Sequence, residues 1–153
     1  MDFIYIQNIE SMLKDRKYTI LSNKKYEYSL FECEFEKKYI YVIDITKHIK
    51  QLLQFIKNNV LNNHYIFITT KNVISTNITN IIHDYELFNF IFFIKNLNAF
   101  HLFSKCEKSM YISQYIIPYI NLDDPICKWY NFKKNDIIKF YRNDDSLYYR
   151  LVS

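Results

Sequence analysis

No glycine occurs anywhere in the 153-residue chain, and only two prolines do. Glycine is the residue that takes positive φ without steric cost and lets a backbone approach a ligand closely. A chain without it has no GxGxxG dinucleotide loop, no P-loop and no GxSxG nucleophile elbow. Collagen-like and Gly/Ser-linker architectures are excluded with them. Asparagine is the best remaining residue for a left-handed turn, because its short side chain bonds locally to the backbone. Ile, Lys, Asn and Tyr together make up nearly half of the chain. These residues share A/T-rich codons, so the bias reads as mutational pressure on a genome before it reads as function.

Half of the residues are hydrophobic and 24% are charged, the balance of a globular chain. A chain of this length buries roughly 70% of the surface its unfolded form exposes, so one domain or two small ones need no staples. The net charge of +4 permits contact with nucleic acid without arguing for it. Cys33, Cys106 and Cys127 are odd in number and far apart, which fits neither a disulfide framework nor a C-x-x-C metal knuckle and points to a reducing compartment. The start, MDFIYIQNIE, has no basic n-region, so no signal peptide is expected. The apolar run 88–94 contains Asn89 and ends at Lys95, too short to span a membrane, and no membrane partner is expected.

Periodicity predicts a helix over 3–15, with Ile6, Ile9, Met12 and Leu13 on one face. A polar turn at 22–25 leads into a half-buried strand over 26–36, and 39–45 reads as a more buried strand. Thr46 is the expected N-cap of a helix striped by Ile49, Leu52, Leu53, Ile56 and Val60, with Asn58, Asn59, Asn62 and Asn63 at its exit. A strand over 65–69, a short helix over 75–83 and strands over 88–94 and 99–103 follow. Strand, helix, strand, helix, strand between 39 and 94 predicts βαβ units and a mostly parallel sheet with right-handed crossovers. Residues 105–113 read as a polar connector. Further on, Asp124-Pro125 predicts N-cap and N1 of a short helix to Tyr130, and Asn131 stands at its left-handed C′ position. Strands over 137–142 and 147–152 flank the turn Asn143-Asp144-Asp145-Ser146. The expected fold is an α/β module over 1–100 and a small α+β module over 101–153, with the boundary near 97–105 and no internal repeat.

The last third, IIPYINLDDPICKWYNFKKNDIIKFYRNDDSLYYRLVS, carries an ordered set of residues: Pro118, Asp124, Pro125, Trp129, Tyr130, Lys133, Lys134, Asp136, Arg142, Tyr149 and Arg150. In order and spacing it resembles the assembly domain of the fifth subunit shared by the eukaryotic nuclear RNA polymerases, a family with an archaeal RNA polymerase counterpart. Asparagine replaces two glycines of that pattern, at Asn131 and Asn135, and the hairpin after Arg142 and the linker before Pro118 are shorter. The resemblance extends more weakly to Met12-Leu13-Lys14-Asp15-Arg16-Lys17-Tyr18, with Lys17 at a usual glycine, and to 65–76, where Ser75 replaces a proline. It implies a non-catalytic polymerase subunit without cofactor or metal. The C-terminal residues named above would dock on the largest subunit and so join the rest of the polymerase complex. The N-terminal module would form part of a jaw, with Lys71, Asn72, Ser75 and Thr76 facing downstream double-stranded DNA weakly and without sequence preference. The composition and trimmed loops suggest a fast-evolving source, a large DNA virus with its own polymerase. The expected location is intracellular: host cytoplasm and virion for a viral chain, nucleus for a cellular one.

Other constellations have ordinary readings. Asp123-Asp124 reads as one N-cap plus one solvated acid, since adjacent carboxylates do not share a helix face. Glu36-Lys37-Lys38 has the E-x-K spacing of metal-dependent nucleases, with Asp15 as an upstream acid, and keeps a nuclease-like enzyme as one alternative. A stand-alone nucleic-acid-binding protein is the other, since the tyrosines could stack on bases. His48, His64, His83 and His101 show no metal-ligand spacing, and the cysteines read as small apolar residues.

Overall fold

The computed structural model describes residues 3–23, 29–45, 49–58, 63–70, 74–95, 105–109, 117–142 and 144–153. The chain divides into two compact units, Met1–Ile94 and Lys95–Ser153.

In the first unit, helix α1 (Phe3–Asp15) buries Ile9, Met12 and Leu13 completely, the spacing that one helix face requires. The helix ends as a Schellman motif. The Tyr18 N–H reaches back to the Leu13 carbonyl at 3.0 Å and the Lys17 N–H to that of Lys14 at 2.9 Å, with Lys17 itself left-handed at φ 62°. Strands β1 (Thr19–Asn23), β2 (Ser29–Phe35), β3 (Lys38–Asp44), β4 (Asn63–Thr69) and β5 (Tyr85–Asn89) lie side by side in chain order. Helices α2 (Ile49–Asn58) and α3 (Thr76–Thr79) make the connections β3 to β4 and β4 to β5, and both of those pairs are parallel. Helix α4 (Phe92–Lys95) follows β5.

The sheet is therefore mixed, and the expectation of a mostly parallel sheet is corrected. β1–β2 and β2–β3 are antiparallel. Only Glu36 and Lys37 separate β2 from β3, both at positive φ (49° and 65°), and Phe35 pairs with Lys38. A two-residue link with two left-handed residues is a type I′ hairpin, whereas a parallel crossover needs a dozen residues or more. Residues expected to begin a polar turn belong instead to β1, an edge strand whose pairing comes from β2. The last strand begins at Tyr85 rather than Phe88, and the aromatic run beyond it turns into α4.

The core of this unit stacks Tyr41, Tyr65 and Phe67, neighbouring centroids 5.8 Å apart, under Leu52, Phe55 and Ile56 of α2 and beside Ile78 and Ile82. The alternate strand residues Ile40, Val42, Ile66 and Ile68 are buried too, so both faces of the central strands are covered. Thr46 and residues 59–62 of the expected helix cap and exit lie outside the described residues, as does the strand expected at 99–103.

In the second unit the sheet order is β6-β8-β9-β7, from β6 (Lys105–Ser109), β7 (Tyr119–Ile120), β8 (Ile137–Tyr141) and β9 (Leu147–Val152). β6, β8 and β9 run antiparallel and β7 joins β9 in parallel. Helix α5 (Pro125–Tyr130) supplies Ile126 and Cys127 to a core shared with Cys106, Phe132, Ile138, Phe140 and Val152. Part of the segment read as a polar connector is thus strand β6. Its Cys106 is buried opposite Phe140, while the rest of its polar side chains hide a strand period. No helix among the described residues is long and apolar enough to cross a membrane.

Candidate docking surface

Most of the residues expected to dock are organised by α5 and the turn that follows it. Asp124 caps the helix, its Oδ1 accepting from the Ile126 N–H at 2.9 Å, and Pro125 occupies the first turn where no N–H is needed. Asn131 ends the helix in the left-handed region at φ 57°, ψ 40°, and the Phe132 N–H reaches the Cys127 carbonyl at 2.9 Å. The Phe132 ring, buried beside Ile126 and Cys127 and stacked on Tyr130, completes a Schellman motif. Asn135 follows at φ 72° as third residue of the Lys133–Asp136 turn, closed by the Asp136 N–H on the Lys133 carbonyl at 3.0 Å. The Asp136 carboxylate accepts from the Lys133 N–H at 2.8 Å and pairs with Lys108 at 3.0 Å. Through Asn135 and Asp136 the turn is bonded to Val152 of β9.

These placements separate the residues into two groups. Asp124, Pro125, Asp136 and Trp129, the last only 2% exposed, are engaged in holding the unit together. Pro118 is exposed and gives its carbonyl to the Leu151 N–H, and Tyr130 is half-buried on Phe132. Lys133 and Lys134 are exposed on the turn, with Lys133 Nζ donating to Asn131 Oδ1 at 2.9 Å. Arg142 sits at the turn of the β8–β9 hairpin, while Tyr149 and Arg150 lie further along β9, opposite Lys139 and Ile138. There the structure adds a residue that the sequence pattern does not single out. The Tyr148 ring stacks on Phe140 at 4.8 Å, and the guanidiniums of Arg142 and Arg150 lie 4.5 and 4.6 Å from its centroid. Burial raises the Tyr148 phenol above its ordinary range even though both cations pull it down. Adjacent tyrosines in the sequence carry no signal that tells Tyr148 from Tyr149; cross-strand register makes the distinction.

Of the residues expected to face DNA, Ser75 and Thr76 are exposed at the start of α3, where Ser75 Oγ accepts from the Asn77 N–H at 3.3 Å. Lys71 and Asn72 lie outside the described residues, as do His48 and His101. His83 is exposed. His64 belongs to a network that sequence reasoning missed. Arg16, its side chain 2% exposed, makes a bidentate pair with Glu86 at 2.7 and 2.8 Å. His64 Nε2 lies 2.7 Å from Glu86 and Nδ1 2.8 Å from Asp84, which also takes Lys38 at 3.1 Å. Burial alone would raise the Glu86 carboxyl, but the His64 hydrogen bond and the Arg16 charge overcome it and push the group down to about 2. The network ties the end of α1 to the starts of β3, β4 and β5; its members come from four separate stretches of chain, so no spacing could announce it.

Glu36 of the E-x-K triple stands in the hairpin turn rather than on a strand. Among the described residues no group of three or more His, Cys, Asp or Glu is placed to hold a metal ion. Burial raises the thiols of Cys33 to about 12 and Cys127 to about 11, as befits packed apolar groups.

Residues 102–152 match the family model described as RNA polymerase Rpb5, C-terminal domain. No curated protein matches the chain significantly. The match spans the second unit's sheet and helix, so that unit is similar to a domain of an RNA polymerase subunit.

Proposed function

We propose that the chain is a non-catalytic subunit of a multisubunit DNA-dependent RNA polymerase. The observation that carries the reading is the family match over residues 102–152. Asn131 and Asn135 support it, because both take the positive φ that the glycines of that pattern would supply. The C-terminal unit docks on the largest subunit, and the N-terminal unit forms part of a jaw beside downstream DNA. Contacts from the Ser75–Thr76 region are sequence-independent and weaken with salt through counterion release. The subunit works inside the cell, and the glycine-free, A/T-driven composition supports a viral source.

The test is affinity purification of the tagged chain from its source organism, with partners identified by mass spectrometry. The largest polymerase subunit is expected in near-stoichiometric amount, and its repeated absence would overturn the proposal. DNA binding measured at two salt concentrations distinguishes a jaw contact, weak and salt-sensitive, from a stand-alone nucleic-acid binder.

A further inference from the structure

We infer that one face of the β8–β9 hairpin is the anchor of the docking surface, where Arg142, Tyr148 and Arg150 receive carboxylate side chains of a partner protein. The inference rests on the polymerase-subunit reading and deepens it by naming the anchor and the chemistry it takes. Cross-strand register sets Tyr148 opposite Phe140 and Arg150 opposite Ile138. Phe140 and Ile138 are core residues, so Tyr148 and Arg150 lie on the core-facing side of the sheet. Arg142, two residues beyond Phe140, reaches the same ring from the other strand. The Phe140 and Tyr148 rings lie nearly parallel, 6° apart.

A guanidinium lying over a ring keeps its N–H donors at its edges, in a fixed fork that matches a carboxylate. Arg150 gives one N–H to the Tyr149 carbonyl at 2.9 Å. Among the described residues no carboxylate forms an ion pair with Arg142 or Arg150. The turn's own Asp144 accepts instead from the Ser146 N–H and Oγ, at 3.0 and 2.6 Å. Those bonds, and after them the charge of Arg142, hold the Asp144 carboxyl below its ordinary range without joining it to the guanidinium. Two cations are thus gathered on one aromatic ring with no ion-paired carboxylate among the described residues, an arrangement that an incoming anion relieves.

A protein rather than a nucleic acid is the occupant because the site lies in the unit that matches a polymerase-subunit domain, whose partners are other polymerase subunits. Tyrosine and arginine in a packed setting are also the residues on which protein interfaces concentrate their binding energy. Trp129, Asp124 and Asp136 are occupied within the unit and are not available to do this.

The experiment uses the full-length tagged chain and the polymerase of its source organism. If the wild-type chain captures no polymerase subunit, both the subunit reading and this inference fall. If it does, Arg142→Gln/Arg150→Gln is expected to lower the retained polymerase roughly tenfold or more without changing the melting temperature. Undiminished capture by that variant would overturn the inference and leave the subunit reading standing. Capture abolished by nuclease treatment would likewise overturn it, since the face would then meet nucleic acid. Should the double variant fail to fold, Arg142→Lys and Arg150→Lys singly carry the test through zero-length carbodiimide cross-linking of the assembled complex. Cross-links to an Asp or Glu of a polymerase subunit support the inference; none from either position overturns it.

Discussion

A left-handed residue other than glycine costs about 1–2 kcal/mol, less for asparagine and aspartate, whose side chains bond locally. The protein carries this cost at Lys17, Glu36, Lys37, Asn131, Asn135 and Asp145. Asn131→Gly should leave the melting temperature unchanged or raised, whereas Asn131→Val should lose roughly 1–2 kcal/mol in urea unfolding. The buried Arg16–Glu86 pair makes a prediction of another kind. Glu86 has its folded-state carboxyl pushed from an ordinary 4.5 to about 2, so the unfolded chain binds more protons between those values. The stability it confers is complete above the higher value and is lost as pH falls through the lower one. Glu86→Gln should therefore destabilise the protein at neutral pH by roughly 3–5 kcal/mol, the cost of leaving a buried arginine without its partner. The difference in urea midpoint from wild type should shrink as pH is lowered from 4.5 towards 2.

At the scale of elements, short-range signals and long-range pairing part company. Helices α1 and α5 were legible because their stripes, caps and left-handed exits lie within a few residues of one another. Asp124→Ala should lower stability by about 1 kcal/mol, a measure of the cap. The β2–β3 hairpin was not legible, since Glu-Lys at its turn is the opposite of the Asn-Gly such a turn prefers. Glu36→Asn/Lys37→Gly should accordingly raise stability by roughly 1–2 kcal/mol, read as a higher melting temperature. Strand β6 escaped notice because polar side chains cover its period and its partner, β8, comes some thirty residues later.

For the molecule as a whole, the core residues Tyr41, Leu52 and Phe67 belong to one unit and Phe132, Ile138 and Phe140 to the other. The single tryptophan, Trp129, belongs to the second unit, so its fluorescence should follow the unfolding of that unit, while far-UV circular dichroism follows both. Phe140→Ala should lower the midpoint of the fluorescence transition. The sequence by itself determined what is written locally: where α1 and α5 start and stop, that Asn131 turns left-handed, and the ordered pattern of the last third. Those outcomes depend on backbone sterics and hydrogen bonds spanning a handful of residues. The mixed sheet, the junction of Arg16 with Glu86 and His64, and the gathering of two arginines on Tyr148 emerge from long-range packing. Each of these brings distant or cross-strand residues together, and the free energy that selects them arises only once the strands have paired and the core has excluded water.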